Sequence, residues 1–130
     1  MKIIKDYPPN YEEITKTFTL HEGIIFTYGD TIYNPDDGPI DELLIAHEET
    51  HQKQQLAWGI ERWWAKYLEN KEFRTNQELM AYRVQYREAK RILKDRERLF
   101  LYLRKMAVSL SGEMYGNLMS LEEATQAIKK

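Results

Sequence analysis

Cysteine is absent from this 130-residue chain. There is therefore no disulfide framework, no thiolate nucleophile and no zinc finger, and a metal can be held only by histidine and carboxylate. Histidine is scarce as well, with three in the chain. Proline and glycine number only four and six, and no segment reads as a repeat or as low complexity. Long apolar runs are missing: the densest, Leu99 to Leu103, is stopped by Arg104 and Lys105, far short of the roughly 18 residues of a membrane span. The opening MKIIKDYPPN is too short in its apolar part for a secretory leader, since Asp6, Pro8 and Pro9 end it. No membrane span is expected, and the cytoplasm is the default location.

Charge of one sign is lacking too, but the net charge of −2 hides a division. Residues 1 to 82 carry 8 basic and 15 acidic side chains, whereas 83 to 105 carry 9 basic and 3 acidic. A basic stretch of this kind can meet phosphate backbones. Here Glu88, Asp95 and Glu97 interrupt it and apolar residues thread it at helical spacing, which reads as a solvated helix face. Nucleic acid is not expected as a partner, because no RNP-type aromatic motif or Cys/His finger accompanies the basic residues. What is present is the material of a core: 42% hydrophobic and 12% aromatic residues, with three Trp and nine Tyr, enough for one folded domain over 1–130.

The order of elements follows from local signals. Residues 17 to 33 are rich in β-branched and aromatic side chains and are broken by Gly29-Asp30, which reads as a hairpin or small sheet. YNPDDGP, residues 33 to 39, is a turn tract, after which Asp41 can cap a helix carrying LLIAHEETHQKQQLAW up to Gly59. Ile60, Trp63, Trp64, Tyr67 and Leu68 then form an apolar stripe on a second helix, with Asn70 and Lys71 as its exit. At that spacing the tryptophans read as core or cleft wall rather than as a platform for stacking a ligand. Thr75-x-x-Glu78 reads as a capping box opening a third helix that runs towards Leu110 with a kink near Asp95. Ser111 to Asn117 is a loop, and Ser120-x-x-Glu123 is a second capping box before a short last helix. The fold class is α+β, mainly α, with a small N-terminal antiparallel sheet packed on the HExxH helix and further helices.

The chemistry lies in His47-Glu48-Glu49-Thr50-His51, an HExxH pattern within a helix. At about 100° per residue both imidazoles and the Glu48 carboxylate project from one side of the helix. Two neutral imidazoles one turn apart can share a Zn²⁺ ion at about 2.0–2.1 Å, with the carboxylate beside the position where water binds. Zinc brings the pKa of that water to about 7, and Glu48 can take its proton during attack on a carbonyl, then deliver it to the leaving amine. Peptide-bond hydrolysis is the reaction class this implies, with a peptide or protein as substrate. The plainer alternative makes the three residues ordinary polar groups on a helix whose apolar stripe is Leu43, Leu44, Leu56 and Trp58.

A catalytic zinc needs a third protein ligand. No histidine follows His51, and positions 54 and 57 are Gln and Ala, so a carboxylate must serve. Glu61, Glu69, Glu72 and Glu78 are the candidates. Glu78 is preferred because it opens a helix able to pack antiparallel to the HExxH helix after one crossing helix, although its capping role beside Thr75 conflicts with metal binding.

Over residues 24 to 90 the chain resembles the zincin metallopeptidases of the gluzincin type, in which HExxH supplies two zinc ligands and a general base and a Glu on a following helix supplies the third. The matching positions are His47, His51 and Glu78 for zinc and Glu48 for the base. The small size and the late LSGEMYGNLMS tract also resemble compact HExxH proteins encoded by bacteriophages. The resemblance implies a strand that forms the cleft edge and pairs with extended substrate, its counterpart here being Gly23 to Tyr28 or Thr31 to Tyr33. It also implies a donor for the oxyanion, for which Tyr115, Tyr82 and Arg83 are available and Tyr115 is chosen; His21 is read as a strand-edge residue. Three positions depart from the pattern: Glu49 and Lys53 stand where uncharged or apolar residues are usual, and Tyr82 replaces the Asp that orients a ligand histidine. The competing function is a non-enzymatic binding or assembly protein on the same scaffold, with zinc structural or absent.

Overall fold

The computed structural model describes all 130 residues, which form two compact units, Met1–Glu69 and Asn70–Lys130. Six α-helices and a small three-stranded sheet make the chain mainly α within an α+β class. No helix is long and apolar enough to cross a membrane.

The first unit holds β1 (Lys2–Ile4), α1 (Tyr11–Thr17), β2 (Phe26–Tyr28), β3 (Thr31–Tyr33), α2 (Glu42–Trp58) and α3 (Ile60–Glu69). Gly29 and Asp30 form the two-residue connection between β2 and β3, and Gly29 takes the positive φ of +63° that such a turn needs. The hairpin is therefore antiparallel, with Thr27 opposite Ile32. A further strand makes the sheet mixed: β1 pairs in parallel with β3, so the order is β1-β3-β2. Three residues of KII carry too little pattern to announce a strand, and the pairing is non-local. α1 also goes beyond the sequence reading, although Asn10 before it and Glu12 and Glu13 in its first turn are start signals. Residues 18 to 25 are not strand, so the extended segment is shorter than expected. Gly23 sits at φ +81° with its N–H donating to Asp36 Oδ2 at 2.7 Å, a loop conformation. His21 lies in that loop, exposed, not on a strand edge.

α2 begins as the sequence indicates, with the Asp41 side chain accepting from the Leu44 N–H at 2.9 Å, and ends at Gly59, whose φ is +87°. Its buried residues are Leu43, His47, Glu48, His51, Gln54 and Gln55. Five of the six are polar, while Leu56 is 69% exposed. This inverts the usual distribution, since buried polar groups are tolerated only when bonded or coordinated. α3 buries Trp63, Trp64 and Tyr67; Trp63 stacks on Tyr67 at 4.8 Å and meets Trp64 edge-on at 5.2 Å. Trp58 lies outside this group, exposed beneath the cations of Arg62 and Lys66.

The second unit contains α4 (Lys71–Ile92), α5 (Arg96–Leu110), a single 3₁₀ turn (Glu113–Tyr115) and α6 (Leu121–Lys129). α4 starts four residues before Thr75: the cap is Asn70, whose side chain accepts from the Phe73 N–H at 2.9 Å. Asn70 thus opens a helix as well as closing the preceding one. Near Asp95 the chain breaks rather than kinks, and the Asp95 carboxylate starts α5 by accepting from the Glu97 and Arg98 N–H groups. Leu103, Met106, Ala107 and Leu110 of α5, Tyr86 of α4 and Ala124 and Ile128 of α6 form the core of this unit, together with Tyr115. Most of the basic residues between 83 and 105 are exposed. Arg83 instead donates from Nε to the Ala127 carbonyl at 2.8 Å.

The box at Ser120 and Glu123 is complete: Ser120 Oγ accepts from the Glu123 N–H and Glu123 Oε1 accepts from the Ser120 N–H. The bond from the Ser120 N–H, followed by the one with its side chain, holds the Glu123 carboxyl below the ordinary glutamate pKa. A depressed folded-state pKa contributes stability that is present above the unfolded value and lost as pH falls through the folded value. Ser120→Ala is expected to cost about 1 kcal/mol at neutral pH. The carboxyl is tested separately by Glu123→Gln: thermal unfolding followed from pH 7 into the acid range should show a smaller loss of stability in that variant than in the unaltered protein, and an identical pH dependence would refute the coupling.

Candidate metal centre

α2 supplies two of the three expected ligands from one buried face. His47 and His51 are one turn apart, 6% and 4% exposed, with ring centroids at 4.8 Å and planes at 78°. Their Nε2 atoms approach to 3.2 Å. Two nitrogens bound tetrahedrally to one zinc at about 2.0–2.1 Å would stand about 3.3 Å apart, so this spacing is the one a shared ion requires. His51 Nδ1 lies 2.8 Å from Gln54 Oε1. An amide oxygen only accepts, so this contact matches the tautomer with the proton on Nδ1, the one that leaves the Nε2 lone pair for a ligand. The Trp63 ring also packs against His51, tilted at 56° with ring centroids 5.3 Å apart.

Glu48 is buried beside them, 6% exposed. Its two oxygens have different surroundings: Oε1 accepts from Thr27 Oγ1 at 2.9 Å, while Oε2 lies 3.8 Å from His47 Nε2. Thr27 is itself fixed through its backbone, because its carbonyl accepts from Gln55 Nε2 at 2.8 Å and from Trp64 Nε1 at 3.2 Å. Gln55 Oε1 in turn accepts from the Gly29 N–H at 2.7 Å. The hydroxyl that reaches Glu48 is thus presented by a strand anchored to α2 and α3.

Glu78 of α4 is 5% exposed. One ligand atom from each of His47, His51 and Glu78 lies within 4.8 Å of the others. Two imidazole nitrogens and a carboxylate oxygen are a recognised set of protein ligands for a catalytic zinc. The conflict between capping and metal binding at Glu78 is removed by the early start of α4. Thr75 is an interior residue whose Oγ1 donates to the Tyr115 carbonyl at 2.8 Å, so Glu78 has no cap to complete. The other candidates, Glu61, Glu69 and Glu72, are exposed and outside the group.

The remaining expectations fare differently. The ring of Tyr115 belongs to the helical core of the second unit, and half-buried Tyr82 packs against the same core. β3 lies between β1 and β2, so Thr31 to Tyr33 offers no free edge. β2 is an edge, but its outward Thr27 carbonyl and Gly29 N–H already bond with Gln55 and Trp64, so strand pairing with a substrate is blocked at those groups. Glu49 and Lys53 are exposed, in line with their charge on the outer side of α2. Thr27, Gln54, Gln55 and Trp64 went unread as site residues. Of these, Gln54 and Gln55 had a sequence signal, being three and four residues after His51 on the same helix.

No protein-family model matches this chain, and no curated protein or solved structure matches it either.

Proposed function

We propose that this chain is a zinc-dependent hydrolase of peptide bonds, with His47, His51 and Glu78 as metal ligands and Glu48 as general base. The observation that carries the reading is the convergence of three buried ligand atoms within 4.8 Å beside a buried carboxylate with one oxygen already engaged. A zinc ion so held supplies Lewis acidity towards a carbonyl oxygen and makes water nucleophilic near neutral pH. Within the protein, Glu48 does the proton work. Thr27 occupies Oε1, so Oε2, on the side of His47, is the atom that accepts a proton and returns it to the leaving amine. Tyr115 stands in the proposal as oxyanion donor on the resemblance alone.

Burial of all three ligands and of Glu48 favours a second reading, in which the ion ties elements together and no substrate reaches it. The two are separated by incubating zinc-loaded protein with a mixture of internally quenched peptides, with and without a chelator. Cleavage that stops on chelation and returns with zinc supports the hydrolase. A protein that holds zinc stoichiometrically, cleaves nothing and unfolds more readily on chelation is the structural case.

A further inference from the structure

We propose that Gln54 is the positioning residue of this centre, holding His51 in the ligating tautomer without adding a negative charge; the inference rests on the reading of His47, His51 and Glu78 as metal ligands. Ligating histidines are commonly oriented by a hydrogen bond from the second ring nitrogen, often to a carboxylate, and losing that partner typically costs about 10–100-fold in metal affinity. Here the partner comes from the same helix as the ligand. Gln54 is 7% exposed, lies three residues after His51, and its Oε1 stands 2.8 Å from His51 Nδ1, placed to accept a hydrogen bond from it. Ligand and orienting group share one length of α2, so their relation is fixed by helical geometry and not by a loop.

The chemical identity of the partner matters. Two neutral imidazoles and the Glu78 carboxylate bring one negative charge to a divalent ion, and the neutral amide of Gln54 leaves that sum unchanged. A carboxylate at position 54 would polarise His51 towards imidazolate and raise its basicity as a ligand. The amide therefore gives looser binding and a more electron-poor ion than a carboxylate would, at equal geometry.

The test uses the full chain and two substitutions, Gln54→Met and Gln54→Glu. Zn²⁺ affinity is read by competition with a chromophoric chelator at fixed pH, and Co²⁺ absorption reports the ligand field. Gln54→Met keeps the length of the side chain but removes the strong acceptor, and binding about 10–100-fold weaker is expected. Gln54→Glu should bind more tightly than the unaltered protein and shift the Co²⁺ bands. Equal affinity of the Met variant and the unaltered protein, or weaker binding by the Glu variant, overturns the inference while leaving the metal site in place. If the unaltered protein takes up neither ion, the metal-site reading falls and this inference with it. Far-UV circular dichroism of the metal-free proteins shows whether each variant is folded; should the Met variant not be, the Glu variant alone decides.

Discussion

The unaltered protein is expected to bind about one zinc ion per chain, and His47→Ala and Glu78→Ala are each expected to abolish that binding. Loss should be complete at stoichiometric metal, because two protein ligands cannot compete with a chelator for an ion that three retain. The two substitutions probe different elements, α2 and α4, which makes the pair more informative than either alone. Elemental mass spectrometry of protein purified without added metal gives the content directly. A linked effect on stability is also expected, since an ion that binds only the folded chain stabilises it by about 4 kcal/mol at a thousand times its Kd. The melting temperature of the unaltered protein should rise with added zinc and those of both variants should not. Zinc retained in Glu78→Ala would remove that carboxylate from the ligand set, and zinc retained in both would place the ion elsewhere.

Glu48→Gln is expected to keep zinc and lose about 10²–10⁴-fold in kcat against peptide substrates, the usual contribution of a general acid–base group. Gln is nearly isosteric with Glu, and its amide oxygen still accepts from Thr27 Oγ1, so the fold and the ligand set are preserved while the proton acceptor is removed. KM should change little, because the carboxylate acts on the reaction and not on substrate binding. Unchanged kcat with zinc present would show that Glu48 moves no proton. Tyr115→Phe is a useful comparison in the same assay. Its ring packs in the helical core, so a fall in kcat identifies an oxyanion donor only where zinc content and melting temperature match those of the unaltered protein.

The elements with strong local signals were legible. The Gly29-Asp30 turn, the Asp41 cap, the Gly59 stop and the Ser120 box are each written within a few residues, and each is present. HExxH was legible for the same reason, because the two imidazoles are brought together by a single helical turn. The failures are of another kind. Thr75-x-x-Glu78 has the spacing of a capping box, yet Asn70 captures the helix start and leaves Thr75 free to bond to Tyr115, 40 residues on. β1 has only three residues and depends on a parallel partner 29 positions away. Thr27 is 21 residues from Glu48, and nothing near either residue encodes their hydrogen bond. Of the apolar stripe read on α2, Leu43 is buried but Leu56 and Trp58 are exposed, because the face turned inward is the polar one.

Gln55 has a consequence for how this protein behaves at high concentration. Its carboxamide meets β2 through the Thr27 carbonyl and the Gly29 N–H, the pair of groups that one residue of a neighbouring parallel strand would take. Unsatisfied strand edges recruit other chains, and sheets grow from them. At this end of the sheet a glutamine amide stands in for the next strand, and the indole of Trp64 shares the same carbonyl. Growth is left to the far edge, where β1 offers three residues, half the length of the segments that sustain stacked fibrils. Polymerisation through the sheet is thereby confined to a template too short to propagate.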